Sequence, residues 1–313
     1  MKPLISLLLV SVAFPLLAAS PYGDTFASGD VSDYVEGTFP PGQVTIAPVD
    51  GVNSLVLVGT QARLKPVSVR PKTKYTLSFE GSFRGAVESI EENPRFAVFA
   101  QPGQKSPVLP SRTVQFLDAA GKTLDRPQAL SMPCRARHTY TDVFYTPCHA
   151  AVLRLDVASG EGITFVLRNL MLEETADEGA INVNPCFGLG PLNYSGWQTV
   201  SAGGRLIEVD GKTIFDTKYG SRGTAFPLPG PGTYALSAKA TGNGYNSCVK
   251  VDVFDAQGKK LMSSVLRRYG RTKYFVPPKE AASASLLVYS CLLEDVRLVR
   301  VGDEKAVESF LER

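Results

Sequence analysis

A chain of 313 residues is long enough for two domains of ordinary size, and a hydrophobic content of 44% suffices for real cores, which excludes a disordered or low-complexity protein. With 33 Lys and Arg against 30 Asp and Glu, the net charge of +3 supplies no polyanion-binding field, so nucleic acid is not an expected partner. The 28 glycines and 22 prolines point to many turns.

Lys2, the apolar run Leu4 to Leu17 and the small-residue exit Leu17-Ala18-Ala19 read as a cleavable secretory signal over residues 1–19, cut after Ala19. The run is too short for a lasting membrane helix, and no later segment is long and apolar enough to span a bilayer. No cysteine follows it to carry a lipid. The expected location is secreted, periplasmic or at the cell surface.

The stretch from Pro21 to Gly42 is rich in Gly, Asp, Ser and Pro and reads as loop with room for a short strand. Strand character follows at Val44–Ala47, Ser54–Val58, Ala62–Val69 and Tyr75–Phe83, where Tyr75, Leu77 and Phe79 alternate with Thr76, Ser78 and Glu80. From Arg84 to Pro110 runs a longer excursion holding a strand at Phe96–Phe99. Val114–Asp118, Thr139–Tyr145, Ala151–Val157 and Ile163–Glu173 complete the first half. The second half offers Gly196–Val200, Arg205–Val209, Lys212–Phe215, Thr224–Phe226, Tyr234–Lys239 and Val249–Phe254. Thr272–Val276, Ala284–Tyr289 and Leu292–Val301 follow, and the tail from Asp303 reads as a short helix. With helical periodicity nearly absent, the fold class is all-β.

The halves repeat one another. Lys74-Tyr75-Thr76-Leu77-Ser78 returns as Thr233-Tyr234-Ala235-Leu236-Ser237, and Asp118-Ala119-Ala120-Gly121-Lys122 returns as Asp255-Ala256-Gln257-Gly258-Lys259. A third anchor pairs Phe144-Tyr145-Thr146-Pro147 with Tyr274-Phe275-Val276-Pro277. Tyr75 and Asp118 are 43 residues apart and Tyr234 and Asp255 are 21 apart, which places a 22-residue insertion in the excursion, where a loop or edge tolerates it. The expected boundaries are 20–176 and 177–303, with a tail at 304–313.

In an oxidising compartment the five cysteines read as disulfide partners, since none forms a Cys-x-x-Cys pair or neighbours a His-x-x-x-His. Cys248 with Cys291 is the first choice, because both lie in the second half near strand edges. Cys134 with Cys148 needs a bend, since an extended Arg137–Thr146 separates them by roughly 30 Å. Cys186 is left over or takes a partner from either pair.

The order of a Gly-Trp turn, Tyr-x-Leu-Ser, an Asp-x-x-Gly-Lys hairpin, an aromatic-x-x-Pro step and a closing strand resembles carbohydrate-binding modules of the family 4/9/22 type, which are galactose-binding-like jelly rolls. The resemblance covers nearly the whole mature chain twice, with the Gly-Trp turn in the second copy only. It implies two tandem jelly-roll β-sandwich domains, a glycan or polysaccharide as partner, no cofactor, and a structural calcium of the kind common in that family. Asp24, Glu173, Asn184 and Asp295 would supply such a calcium by analogy, but no dense run of oxygen ligands such as Asp-x-Asp-x-Asp is present, and no metal site is expected. The matching motif does not include the family's ligand-gripping residues, so it carries the fold further than the activity.

Aromatic rings in polar loops are the candidate sugar platforms, because the apolar face of a sugar stacks on a ring. Tyr194, Tyr219, Tyr245 and Tyr269 meet that description in the second half, and Tyr34 and Phe39 in the first. Trp197 has two readings, a platform or a ring packed inward from the Gly196-Trp197 turn. Arg267, Arg268 and Arg271 flank Tyr269-Gly270 and either grip hydroxyls or carboxylates of an acidic glycan or form a solvated basic loop. An enzyme is not expected. His138 and His149 neighbour no activated serine, Gly-x-Ser-x-Gly is missing, and Glu91-Glu92 and Glu173-Glu174 read as solvated charge. Two functions follow: a glycan-binding protein with avidity from two modules, or a structural or adhesive envelope protein contacting other proteins.

Overall fold

The computed structural model describes residues 22, 26–85, 109–124, 128–175, 179–190, 193–199, 204–217, 220–241, 247–267 and 269–302. The expected signal segment and its cleavage point, the Phe96–Phe99 strand, the boundary at 176 and 177 and the C-terminal tail lie outside these residues.

The strands form four antiparallel sheets. In the first, β1 (Val35–Glu36), β4 (Gln61–Leu64), β10 (Val152–Ala158), β7 (Ser111–Leu117) and β8 (Gln128–Ser131) pair in that order, with β5 (Val67–Ser68) also on β10. In the second, the order is β2 (Val44–Val49), β3 (Val52–Val58), β11 (Thr164–Glu174), β6 (Lys74–Arg84) and β9 (His138–Tyr145). The second half repeats this strand for strand. Its third sheet runs β12 (Trp197–Thr199), β15 (Ser221–Gly223), β21 (Ser283–Tyr289), β18 (Cys248–Phe254) and β19 (Lys260–Leu266), with β16 (Phe226–Pro227) on β21. The fourth runs β13 (Arg205–Val209), β14 (Lys212–Asp216), β22 (Leu292–Gly302), β17 (Thr233–Thr241) and β20 (Thr272–Phe275). The fold is all-β, as the alternation predicts, and forms two jelly-roll sandwiches in tandem, as the resemblance implies.

Alternation builds both cores. In β6 every second residue from Tyr75 to Phe83 is buried while Thr76, Ser78 and Glu80 are half-exposed, so one face meets the other sheet. Leu55, Leu77, Phe79, Leu155 and Phe165 anchor the first core, and Phe215, Tyr234, Leu236, Val251 and Leu298 the second. The repeat extends to ring pairs. Tyr75 stacks on Phe144 at 6.5 Å and 29°, and Tyr234 on Phe275 at 6.0 Å and 26°. It extends to turns as well: Asp118 Oδ1 accepts from Ala120 N and Lys122 N, and Asp255 Oδ1 accepts from Gln257 N and Lys259 N.

Some expectations are corrected. The single strand expected at Ala62–Val69 is broken at Lys65-Pro66, because Pro66 has no N–H for the ladder and Lys65 N donates to Tyr34 O instead. The expected strand Thr224–Phe226 is instead two pieces, Ser221–Gly223 and Phe226–Pro227, separated where Thr224 N donates to Gly196 O. β8 and β19 have no counterpart among the expected strands. The Cys248–Cys291 bridge is not formed, and both residues carry thiols. Cys248 is in register with Tyr289 on β21, which leaves Cys291 past that strand's end at the start of β22. There its thiol is buried 3.7 Å from Thr217 Oγ1. Cys134 is buried, Cys148 half-buried and Cys186 exposed, and no bridge joins them.

The two sandwiches meet along β9. Ser195 Oγ accepts from Val143 N at 2.9 Å and donates to Thr141 O, which also accepts from Asn193 Nδ2. Tyr145 and Val143, although on β9, pack into the second core.

Candidate functional site

Of the sequence candidates, Trp197 is core. Only 3% exposed, it packs on Phe187 and Phe215 at 5.7 and 5.3 Å, so its face is closed to a ligand and the inward reading holds. Tyr194 packs edge-on against Phe215, and its hydroxyl accepts from Leu206 N; burial raises its pKa. Tyr269 also leans on the second core with its hydroxyl buried beside Cys291, and burial together with that thiol raises its pKa. Tyr219, Tyr245 and Arg268 lie outside the described residues, as does Asp24. Of the other calcium candidates, Asp295 pairs with Arg297 and Glu173 is exposed at the end of β11.

Tyr34 likewise packs against a core, the first, but it also lines a cavity. The segment from Phe26 to Glu36 folds back on the break between β4 and β5, and the two enclose a cavity of about 380 Å³. Asp30 starts the turn at Val31–Asp33 by accepting from Ser32 N at 2.8 Å, and that hydrogen bond holds its carboxyl below the usual range. The turn presents Asp33 and Tyr34 side by side. Tyr34 is fixed at three points: its ring meets Phe26 edge-on at 5.1 Å, its hydroxyl accepts from Ser28 N, and its carbonyl accepts from Lys65 N. Opposite, Tyr22 donates its hydroxyl to Lys65 O at 3.0 Å. Burial first, and the charge of Glu36 second, raise the Tyr22 pKa, so the phenol stays a donor.

The cavity is lined by Tyr22 and Tyr34, by apolar residues that include Val67 and Leu170, and by Asp33, Lys65 and Ser68. Asp33, Lys65 and Ser68 are residue types that supply acceptors and donors, and the volume falls in the range of small-molecule sites. Sequence reasoning singles out Tyr34 by the rule of aromatics in polar loops, and the same rule applies to Tyr22. Lys65 gives no such signal, because 43 residues separate it from the tyrosine it meets.

The fold and this cavity define a tandem β-sandwich protein with a ring-lined recess in its first module. No family model and no curated relative matches the chain. Among solved structures it is similar to the tandem CBM22-1-CBM22-2 domain of Paenibacillus barcinonensis Xyn10C, at 13% identity and a TM-score of 0.32, covering 90% of this chain and 100% of that one. It is similar to a family 16 carbohydrate-binding module at 20% identity and a TM-score of 0.31, covering 46% of this chain and 95% of that one. The enzymatically active domain of bacteriophage CBA120 tailspike protein 4 matches at 16% identity and a TM-score of 0.35, over 51% of this chain and 22% of that one.

Proposed function

We propose that the protein is an exported, non-catalytic glycan-binding protein, with a sugar residue seated in the Tyr34 cavity. The observation that carries this reading is the pairing of Tyr22 and Tyr34 rings with Asp33, Lys65 and Ser68 around one recess. The apolar face of a pyranose lies on a ring while its hydroxyls take the carboxylate and the ammonium. Retention on a panel of polysaccharides in affinity gels tests it. The protein should be slowed by at least one polymer, and Tyr34→Ala and Asp33→Ala should each weaken that retention by about tenfold. An unfolding curve for Asp33→Ala that overlays the parent separates lost binding from lost fold. Absence of retention across the panel, or retention that both variants share with the parent, overturns the reading.

One observation favours protein contacts as a second reading. Tyr274, Ala235 and Val299 stand in register across β20, β17 and β22 as an apolar row, with Tyr274 41% exposed. Tyr274→Ser should then abolish association with a protein partner while leaving polysaccharide retention unchanged.

A further inference from the structure

The outer face of the third sheet carries more positive than negative charge among the described residues: Arg222, Lys250 and Lys260 against Asp252. Val249, Val251 and Val253 of β18 and Ala284, Leu286 and Val288 of β21 point into the second core, so Lys250, Asp252, Ser285 and Leu287 stand on the opposite face. Register sets Arg222, Leu287 and Lys250 in one row across β15, β21 and β18. Ser285, Asp252 and Ser263 form the next row across β21, β18 and β19. Ser285, Asp252 and Leu287 are buried while Arg222 and Ser263 are exposed, so the face is a trough with a charged rim.

Two lysines share one carboxylate there. Lys250 Nζ and Lys260 Nζ lie 3.2 and 2.8 Å from Asp252 Oδ1, and Ser263 Oγ donates to the same oxygen at 2.6 Å. Arg222 has no ion-pair or hydrogen-bond partner among the described residues and stands close enough to Lys250 to repel it. A second observation concerns the floor: Ser285 is 3% exposed, and its buried Oγ has no hydrogen-bond partner. A buried hydroxyl without a partner is uncommon in a folded protein.

The first sandwich supplies the internal comparison. The strand match that sets β4 against β15 and β10 against β21 places Arg63 where Arg222 stands and Asp156 where Leu287 stands. There Asp156 takes Arg63 with two hydrogen bonds, at 2.9 and 3.2 Å. One copy neutralises its arginine from within; the other puts a leucine opposite it.

We propose that this trough is a second binding site, for a carboxylate-bearing polysaccharide, with Arg222 and Lys250 gripping acid groups and Ser285 a hydroxyl of the chain. Arg222 and Lys250 sit two strand spacings apart, about 10 Å, which suits acid groups spread along an extended chain rather than one compact anion. The glycan class rests on the reading given above, whereas the need for an anion rests on the charges themselves.

Affinity gels with polygalacturonate, neutral galactan, dextran sulfate and single-stranded DNA at low and moderate salt test the proposal. Polygalacturonate should retain the protein, less so as salt rises. Arg222→Gln, on an exposed side chain, and Leu287→Asp, which copies the first sandwich, should each weaken that retention by about tenfold or more. Tyr34→Ala should not change it. Retention unaltered in both trough variants overturns the proposal, as does equal retention by dextran sulfate or DNA, which marks a bare charge effect. Retention by neutral polymers alone overturns it while leaving the cavity reading intact. Polygalacturonate binding lost in Leu287→Asp but indifferent to Tyr34→Ala, with neutral polymers ignored, upholds the trough and sinks the cavity.

Discussion

Arg112 and Asp142 face each other inside the first core, one from each sheet. Two hydrogen bonds of 2.5 Å join them, and both side chains are less than a tenth exposed. Burial alone would lower the Arg112 pKa, but the Asp142 carboxylate outweighs it and the net shift is upward. The guanidinium also lies 5.7 and 5.3 Å from the centres of the Phe79 and Tyr140 rings, which adds cation–π attraction. Removing one partner leaves a buried charge, so Asp142→Ala should cost about 3–5 kcal/mol in urea unfolding. The double change Asp142→Leu with Arg112→Met should recover most of that loss, because two apolar chains need no counter-charge. Asp252 gives a pH-dependent counterpart. Burial raises its pKa, but Lys260, Ser263 and Lys250 together lower it below the ordinary value. A carboxyl lowered on folding contributes stability above its unfolded pKa and loses it as pH falls through the folded one. Melting temperatures from pH 7 down to pH 2 should therefore fall less steeply below about pH 4 in Asp252→Asn than in the parent.

At the level of the element, the two Asp-x-x-Gly-Lys hairpins are near copies in conformation. Gly121 and Gly258 both have φ of 80°, and a Cβ at either meets nothing within 4 Å. The cost of alanine is then purely that of the left-handed backbone. Gly121→Ala and Gly258→Ala should each destabilise by about 1 kcal/mol, equal within error in denaturant titration. These turns were legible in the sequence because their chemistry is local, an Asx turn followed by a glycine. The long alternating strands β6, β11, β17 and β22 were legible for the same reason. β8 and β19 were not: Gln128–Ser131 is short, and Lys260–Leu266 carries Ser263-Ser264 in its middle, so neither shows a clean period. The cavity was half legible. Tyr34 declared itself as a ring in a polar loop, but Lys65 joins it only through the strand break at Pro66, a tertiary event with no local signature. For Trp197 the Gly196-Trp197 turn left two readings open in the sequence, platform or inward ring, and packing on Phe187 and Phe215 decides for the second.

For the whole molecule, the contact along β9 decides whether the sandwiches behave as one body. Asn193 and Ser195 occupy the outward backbone groups of Thr141 and Val143, and Tyr145 lends its ring to the other core. Replacing both side chains, Asn193→Ala with Ser195→Ala, should uncouple the halves. Calorimetry would then resolve two melting transitions where the parent shows one, and a single unchanged transition would refute the coupling.

The same contact has a consequence in time. Ser195 lies fifty residues beyond the end of β9 at Tyr145, so roughly three to ten seconds of synthesis separate the emergence of that strand from the residues that cap it. During this interval a nascent first sandwich shows an open strand edge to its neighbours, the usual template for intermolecular pairing. Damage at Asn193 or Ser195 should therefore appear first in the yield of soluble protein and in chaperone demand, before any ligand is added.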